Sequence, residues 1–452
     1  MNDSASPPIF SNRDLARLFL PLVVEQGLEY LVGLTATLFI ASVGEAAVSG
    51  VSLVDSLIML LIAVFGALAT GGAVVAGQYL GNQQPLQAKE AARHLVWLST
   101  AASIGVMAGI YVATPLILNG LFGSITTEVR GHASVYLTLV TASIPAIAVY
   151  AAAAAVFRTI GKTRVTMNVA ILMNIANIGA SALFIFVLHW GTSGVGLASL
   201  GSRILAAVVM LGLAMDKRLP IFFSWGGRLL DNLRGPMVAR ILKIGIPFAL
   251  ENGLFHVGRI LVLSIITTFG TAAIAANAVG TAVSVFQVLP GMAIGLGLTT
   301  VISRCVGAND FAQAKAYHRK IVAFVYVSQL GVSLAILAFL PTLLAAYHLS
   351  ALATTLTIQV VILHTIGTNT VWPLGYTFPV TLRAAGDARF PMIVSLSTMV
   401  GCRLVLAWLL GSVLGLGLIG AWSAMILDWV ARSIFFVVRY KSGKWQQFRV
   451  VH

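Results

Sequence analysis

The chain has 452 residues, 58% of them hydrophobic and 9% charged, with a mean hydropathy of +0.95. Ordinary globular chains carry roughly 25% charged residues, so this composition excludes a soluble multidomain protein and points to an all-α polytopic membrane protein. The net charge of +14 comes from 28 Lys and Arg against 14 Asp and Glu, and the placement of the basic residues decides whether it marks a nucleic-acid surface.

Residues 1–17 are polar and include Asn2, Asp3, Pro7 and Pro8. They lack a basic segment followed by a short apolar run and a small-residue cleavage site, so the first hydrophobic segment is expected to stay as a spanning helix. About 20 mostly apolar residues cross the hydrocarbon. Such segments centre near residues 30, 66, 107, 146, 178, 204, 255, 287, 333, 368, 402 and 427. They predict twelve transmembrane helices in two pseudo-symmetric six-helix lobes. The expected layout is a tail (1–15), an N-lobe (16–216), a cytoplasmic linker (217–240), a C-lobe (241–439) and a second tail (440–452). The linker region holds Trp225, Gly226, Gly227 and Gly235. Cys305 and Cys402 are too few for a disulfide framework and read as small apolar residues.

Basic residues orient the spans. Twenty-three of the 28 fall in the termini, the linker and alternate connections, while the opposite loops hold only Arg130. Both termini are therefore expected in the cytoplasm, and the excess charge reads as an orientation signal and an affinity for anionic lipid. No nucleic-acid partner is expected.

The two halves resemble each other at an offset near 226. Pro21, Glu25, Gly27, Leu28, Gly44, Ala46 and Gly81 match Pro247, Glu251, Gly253, Leu254, Gly270, Ala272 and Gly307. Gln87-Ala88-Lys89 matches Gln313-Ala314-Lys315, and Arg158-x-x-Gly161-x-x-Arg164 matches Arg383-x-x-Gly386-x-x-Arg389. Six spans per repeat give the halves the same orientation, with a pseudo-twofold axis along the membrane normal and a shared cavity, as in transporters built from parallel repeats.

The segment from Gly245-Ile-Pro-Phe-Ala-Leu-Glu to Gly258, followed by Phe269-Gly-Thr-Ala-Ala-Ile-Ala-Ala-Asn277, resembles the seventh helix and its sequel in multidrug and toxic compound extrusion (MATE) transporters. Ser42-Val-Gly-Glu with its continuation to Asp55, Gln78-Tyr-Leu-Gly81, Arg158-x-x-Gly161 and Asn174-Ile-Ala-Asn177 agree in the first half. Arg383-Ala-Ala-Gly-Asp387 and Asp428-Trp-Val-Ala-Arg432 fit one bacterial branch. The likeness runs from about residue 15 to 445. It implies a multi-pass protein of the bacterial inner membrane that exports amphipathic or cationic compounds, driven by inward sodium or proton flow. The chain departs from the family pattern in having Ala36 and Ser181 at the usual helix 1 and helix 5 carboxylates, and Trp372 near a helix 10 carboxylate. The N-lobe cation site that the resemblance implies keeps Asn177 and lacks its acids.

Acids inside spans cost on the order of 2.5–3.5 kcal/mol each at mid-membrane and mark functional candidates. Glu25 and Glu251 each follow a proline by four residues. A proline withdraws a backbone donor and frees a carbonyl nearby. Both glutamates are read as ion-coupling groups that load on one side and unload on the other; the competing role is a fixed hydrogen-bonded strut. Glu29 lies one turn above Glu25 and is placed to share its proton or to sit solvated. His256 is a candidate relay. Asn174, Asn177 and Ser181 are candidates to hold a cation or substrate, against simple interhelical hydrogen bonding. Tyr30, Phe286, Met292 and Tyr376 suit an adaptable substrate surface. Arg403, Asp428 and Arg432 read as a structural ion-pair group, and Asp55 as a helix-end anchor.

Gly415-x-Gly417-x-x-Gly420 matches a dinucleotide pattern without the strand that motif needs. No Walker lysine motif, His-Glu-x-x-His or Gly-x-Ser-x-Gly occurs, so no ATP-driven step, no enzyme activity and no cofactor are expected. The sequence reads as a monomeric secondary exporter with the proton favoured over sodium and small-molecule substrates, lipophilic cations among them. A lipid-linked oligosaccharide flippase of the same superfamily is the alternative.

Overall fold

A computed structural model describes residues 7–121, 123, 125–223 and 233–451. Trp225, Gly226 and Gly227 of the expected linker, and residues 1–6 of the expected tail, lie outside the described residues. The regular elements among those described are helices. In order they are α1 Asn12–Ala41, α2 Glu45–Gly81, α3 Pro85–Leu116, α4 Thr127–Ala142, α5 Ile144–Thr159, α6 Thr163–Ala182 and α7 Gly191–Ala214. They continue as α8 Pro236–Thr267, α9 Thr271–Gly307, α10 Phe311–Ala346, α11 Ala351–Thr370, α12 Trp372–Ala384, α13 Arg389–Thr398, α14 Val405–Trp408 and α15 Gly417–Lys441. Among the described residues ten helical runs are each long and apolar enough to cross a membrane, and α4 with α5, bent by 43° at Ser143, makes an eleventh. The 30-residue α1 supplies the length of a twelfth.

Local chemistry sets the helix ends. Ser11 accepts from the Asp14 amide while Asp14 bonds back to the Ser11 amide, a capping box that starts α1. Thr126 and Ser350 cap α4 and α11 through their hydroxyls.

The repeat is written into the turns. Gly44 (φ 138°) precedes α2 and Gly270 (φ 94°) precedes α9, each helix being 37 residues long. Left-handed backbone recurs at Gln83 and Asn309, at Gly161 and Gly386, at His189 and Gly415, and at Gly191 and Gly417. The π-helical turns Leu183–Val187 and Leu409–Val413 also stand in register. Matching turns at matching offsets mean that each half folds along the same path.

The chain divides into two compact units. One is Ser11–Ala249; the other is Leu250–His452 together with the N-terminal segment up to Phe10. Helix α8 therefore starts in the first and ends in the second. Its opening turns pack closely on α2, where a side chain at Gly71 would strike the backbone of Ile241 and Gly245. The first unit has an apolar core around Val51, Val54, Leu137 and Val140. In the second, Ile266, Ala276, Val360 and Trp422 form a comparable cluster.

Both chain ends are tied to the second unit. The Ile9 amide donates to Gln313 Oε1 at 2.9 Å, and the Phe10 amide donates to the Tyr317 hydroxyl. At the other end Trp445 is wholly buried and stacks on Tyr440, while Arg449 donates to the Gly307 carbonyl. The Phe448 carbonyl occupies the space a side chain at Gly386 would need, and Gly386 itself sits at φ 104°. Replacing Gly386 with Ala adds backbone strain of about 1–3 kcal/mol and a direct clash. In limited proteolysis the Gly386→Ala chain is expected to be cut by trypsin at Lys444 or Arg449 faster than the unaltered chain. Equal protection would show that the C-terminal segment is held by other contacts.

Candidate functional site

The two prolines in register place two glutamates in register. In α1, Pro21 cannot donate to the Arg17 carbonyl, and the Thr163 hydroxyl takes that carbonyl instead at 3.1 Å. The freed oxygen is thus occupied by α6 rather than left for an ion. One turn on, Glu25 is buried; its Oε2 accepts from Thr166 at 2.6 Å and its Oε1 stands 3.5 Å from Arg158 Nη1. In α8, Glu251 is buried after Pro247. Its Oε2 lies 3.0 Å and its Oε1 3.3 Å from Arg383 Nη1, and Oε1 accepts from Ser395 at 2.7 Å.

The same trio of carboxylate, guanidinium and hydroxyl therefore occurs once in each unit. Arg158 and Arg383 are the repeat-related arginines of the Arg-x-x-Gly motif, each in the last turn of its helix. Each comes from the same unit as its glutamate. The sequence pattern singled out the acids and the arginines separately; that they meet is a product of folding.

The structure places the other candidates as follows. Glu29 is exposed, and the Gln26 amide donates to it at 3.0 Å. His256 Nδ1 donates to the Asn252 carbonyl of its own helix at 2.9 Å. Asn174 and Ser181 are buried, and the Asn174 Nδ2 and Ser181 Oγ atoms have no hydrogen-bond partner among the described residues. Asn177 donates to Ser202 at 3.1 Å and to Ser199 at 3.5 Å. Tyr376 stacks on Trp372 with ring centres 4.5 Å apart. Tyr30, Phe286 and Met292 are half-buried. Asp55 lies ten residues inside α2 rather than at its end, and its Oδ1 accepts from the Tyr136 hydroxyl at 2.9 Å.

Asp428, with no exposed surface, bonds Arg432 Nε at 2.8 Å and stands 3.7 Å from Arg403 Nη1. Arg432 also donates to Thr398 and to the Ser395 carbonyl. Ser395 thus joins this group to Glu251, so the two sets of charges form one connected network in the second unit. Sequence reasoning missed Thr166, Ser395, Tyr136 and the buried His364, whose Nδ1 donates to Gln287. Hydroxyls and amides are common in spans, and only contact singles out the few that matter.

These features define a polytopic helical transporter of two repeats with buried ion pairs. The family model described as MatE matches residues 21–183 and again 247–409, two segments 226 residues apart. The chain belongs to the MatE family, whose members are transporters and not enzymes. It is 28% identical over 447 residues to the uncharacterized transporter YisQ of Bacillus subtilis, covering 96% of this chain and 95% of that one. It is 26% identical over 449 residues to the probable multidrug resistance protein NorM of Thermotoga maritima, covering 97% and 94%. A solved multidrug resistance MATE family transporter of the MOP superfamily, in its outward-facing conformation, shares the fold. Its TM-score is 0.89 at 17% identity, with 96% of each chain covered.

Removing one member of a buried pair leaves an uncompensated charge, at a cost of about 3–5 kcal/mol. Arg383→Gln is therefore expected to lower the melting temperature of the detergent-solubilised protein markedly. Glu251→Gln combined with Arg383→Gln is expected to restore most of it. Equal losses in the single and double variants would show that the pair is not a coupled unit.

Proposed function

We propose that this protein is a secondary active exporter of amphipathic small molecules, lipophilic cations among them, coupled to inward movement of a cation, with the proton favoured over sodium. The supporting observation is the repeated trio of Glu25 with Arg158 and Thr166, and Glu251 with Arg383 and Ser395. A carboxylate held by one guanidinium and one hydroxyl has two stable arrangements. Ionised, it keeps the arginine; protonated, it releases the arginine and keeps a neutral hydrogen bond. Protonation thus changes how firmly α1 is tied to α5 and α6, and how firmly α8 is tied to α12 and α13. Helices that loosen on loading from one side and tighten on unloading to the other give alternating access a chemical trigger.

In this reading Glu251 and Glu25 are the coupling groups. Glu29 is a proton donor or acceptor near Glu25, and His256 is an accessory group on the helix of Glu251. Asn174, Asn177 and Ser181 line a polar site in the first unit, and Tyr30, Phe286, Met292 and Tyr376 contribute soft contacts to the substrate. The layout of an N-lobe, a linker and a C-lobe, both termini in the cytoplasm, a place in the bacterial inner membrane and action as a monomer complete it. The excess of basic residues on one side of the spans supports the orientation.

The test uses purified protein in liposomes with ethidium as substrate. An imposed pH gradient without sodium is expected to drive ethidium accumulation, and Glu251→Gln to reduce it to the level of empty liposomes. Transport driven by a sodium gradient alone would overturn proton coupling, and full activity of Glu251→Gln would remove that residue from the coupling role.

A further inference from the structure

The charges inside the second unit do not balance around Asp428. Arg403 and Arg432 share this single carboxylate, and both guanidiniums lie over the same Phe255 ring, each 5.1 Å from its centre. Arg259 is one helical turn beyond Phe255 on the same face of α8 and lies within electrostatic reach of Arg403. It stands eight residues before the end of α8, about 12 Å into the span, and its side chain is exposed. Among the described residues it makes no hydrogen bond or ion pair. Two guanidiniums thus share one carboxylate, and a third, Arg259, stands within electrostatic reach of Arg403.

The local backbone brings these groups together. Arg403 is carried on the π-helical turn Met399–Leu404, an irregularity that recurs at functional sites. Gly258 lacks the side chain that would collide with Met399, which allows α8 to lie against this turn. Arg403 is buried, yet its Nη1 has no hydrogen-bond partner, and the same is true of the facing Asp428 Oδ2, 3.7 Å away. A buried donor of fixed positive charge, beside a mid-span arginine without a partner, is costly unless a further negative group is supplied.

We propose that Arg259, Arg403 and Arg432 form a seat for the anionic group of the transported amphiphile, a carboxylate or phosphate, with Phe255 packing beside its apolar portion. Guanidinium forks match the planar oxygens of such groups. Arg259, exposed and without an ion pair among the described residues, makes the first contact, and behind it Arg403 Nη1, 3.7 Å from Asp428, still lacks a hydrogen bond. The inference rests on the exporter reading and adds acidic or zwitterionic amphiphiles to its substrates. A resident anionic lipid headgroup shares this chemistry, so the experiment separates the two.

Equilibrium binding of dansylundecanoate, its methyl ester and an aminoalkyl dansyl amphiphile is measured by fluorescence on the full-length protein in detergent. The carboxylate is expected to bind about tenfold or more tighter than the ester. Arg259→Gln is expected to bring the carboxylate's affinity down to near that of the ester, and Arg259→Lys to retain part of the preference. Because Arg259 is exposed, its substitution leaves the Asp428 pairs in place. In phosphatidylcholine liposomes the carboxylate probe is expected to be transported, and Arg259→Gln to raise the concentration needed for half-maximal rate. Equal binding of carboxylate and ester would overturn the site. Binding without transport, reversed by added phosphatidylglycerol, would make the cluster a lipid seat and overturn the substrate assignment. Glu251→Gln is expected to keep binding and lose gradient-driven transport, so a failure of ion coupling is read separately from a failure of this site.

Discussion

A charge placed in hydrocarbon must find a partner, and in this protein the partner usually stands on another helix. Glu25 on α1 reaches Arg158 on α5 and Thr166 on α6. Glu251 on α8 reaches Arg383 on α12 and Ser395 on α13. Between apolar helices in lipid there is little hydrophobic driving force, so packing and polar contacts decide which faces meet. Each buried pair therefore fixes a register between helices. The same interaction supports the fold and supplies the proposed coupling.

The repeat makes this arrangement twofold, though not identical in the two halves. Left-handed turns at corresponding positions send both chains along one path, and the proline-glutamate pairs fall in the same place. Around that common frame the polar groups have diverged. The first unit carries a network of neutral amides and hydroxyls around Asn177 and an acid, Asp55, held by Tyr136. The second carries an excess of guanidiniums around Asp428. Ala36 and Ser181 are uncharged in one unit, and Arg259 and Arg403 place positive charge in the other. Both features shift the polarity of the interior toward cations fixed in the protein.

Much of the fold was legible because lipid imposes a simple length rule. The span centres near 66, 178, 204, 287 and 333 all fall within single helices of spanning length. Gly44 and Gly270 matched as a repeat pair, and both adopt a positive φ that glycine accommodates. Gln83 and Asn309 also take a positive φ, near 58° and 59°, without being glycine, and no local pattern marked them. Asp55 read as a helix-end group near the start of the second span, yet α2 begins ten residues earlier and the half-buried carboxylate accepts from Tyr136. The C-terminal segment read as a tail because it is polar; Trp445 and Arg449 nevertheless dock on the second unit.

The sequence by itself determined the helical, apolar character of the spans, the repeat near offset 226, and the few ionisable residues that lie within them. These follow from composition and local periodicity, which hydrocarbon thickness and backbone sterics read one segment at a time. Only the tertiary structure decided which charges meet. It gave Glu251 to Arg383, tied Ser395 to both Glu251 and Arg432, and left Arg259 within electrostatic reach of Arg403 and, among the described residues, without an ion pair. Partner choice depends on the rotation and depth of helices more than a hundred residues apart, and those are set by close packing at small residues such as Gly258 and Gly71.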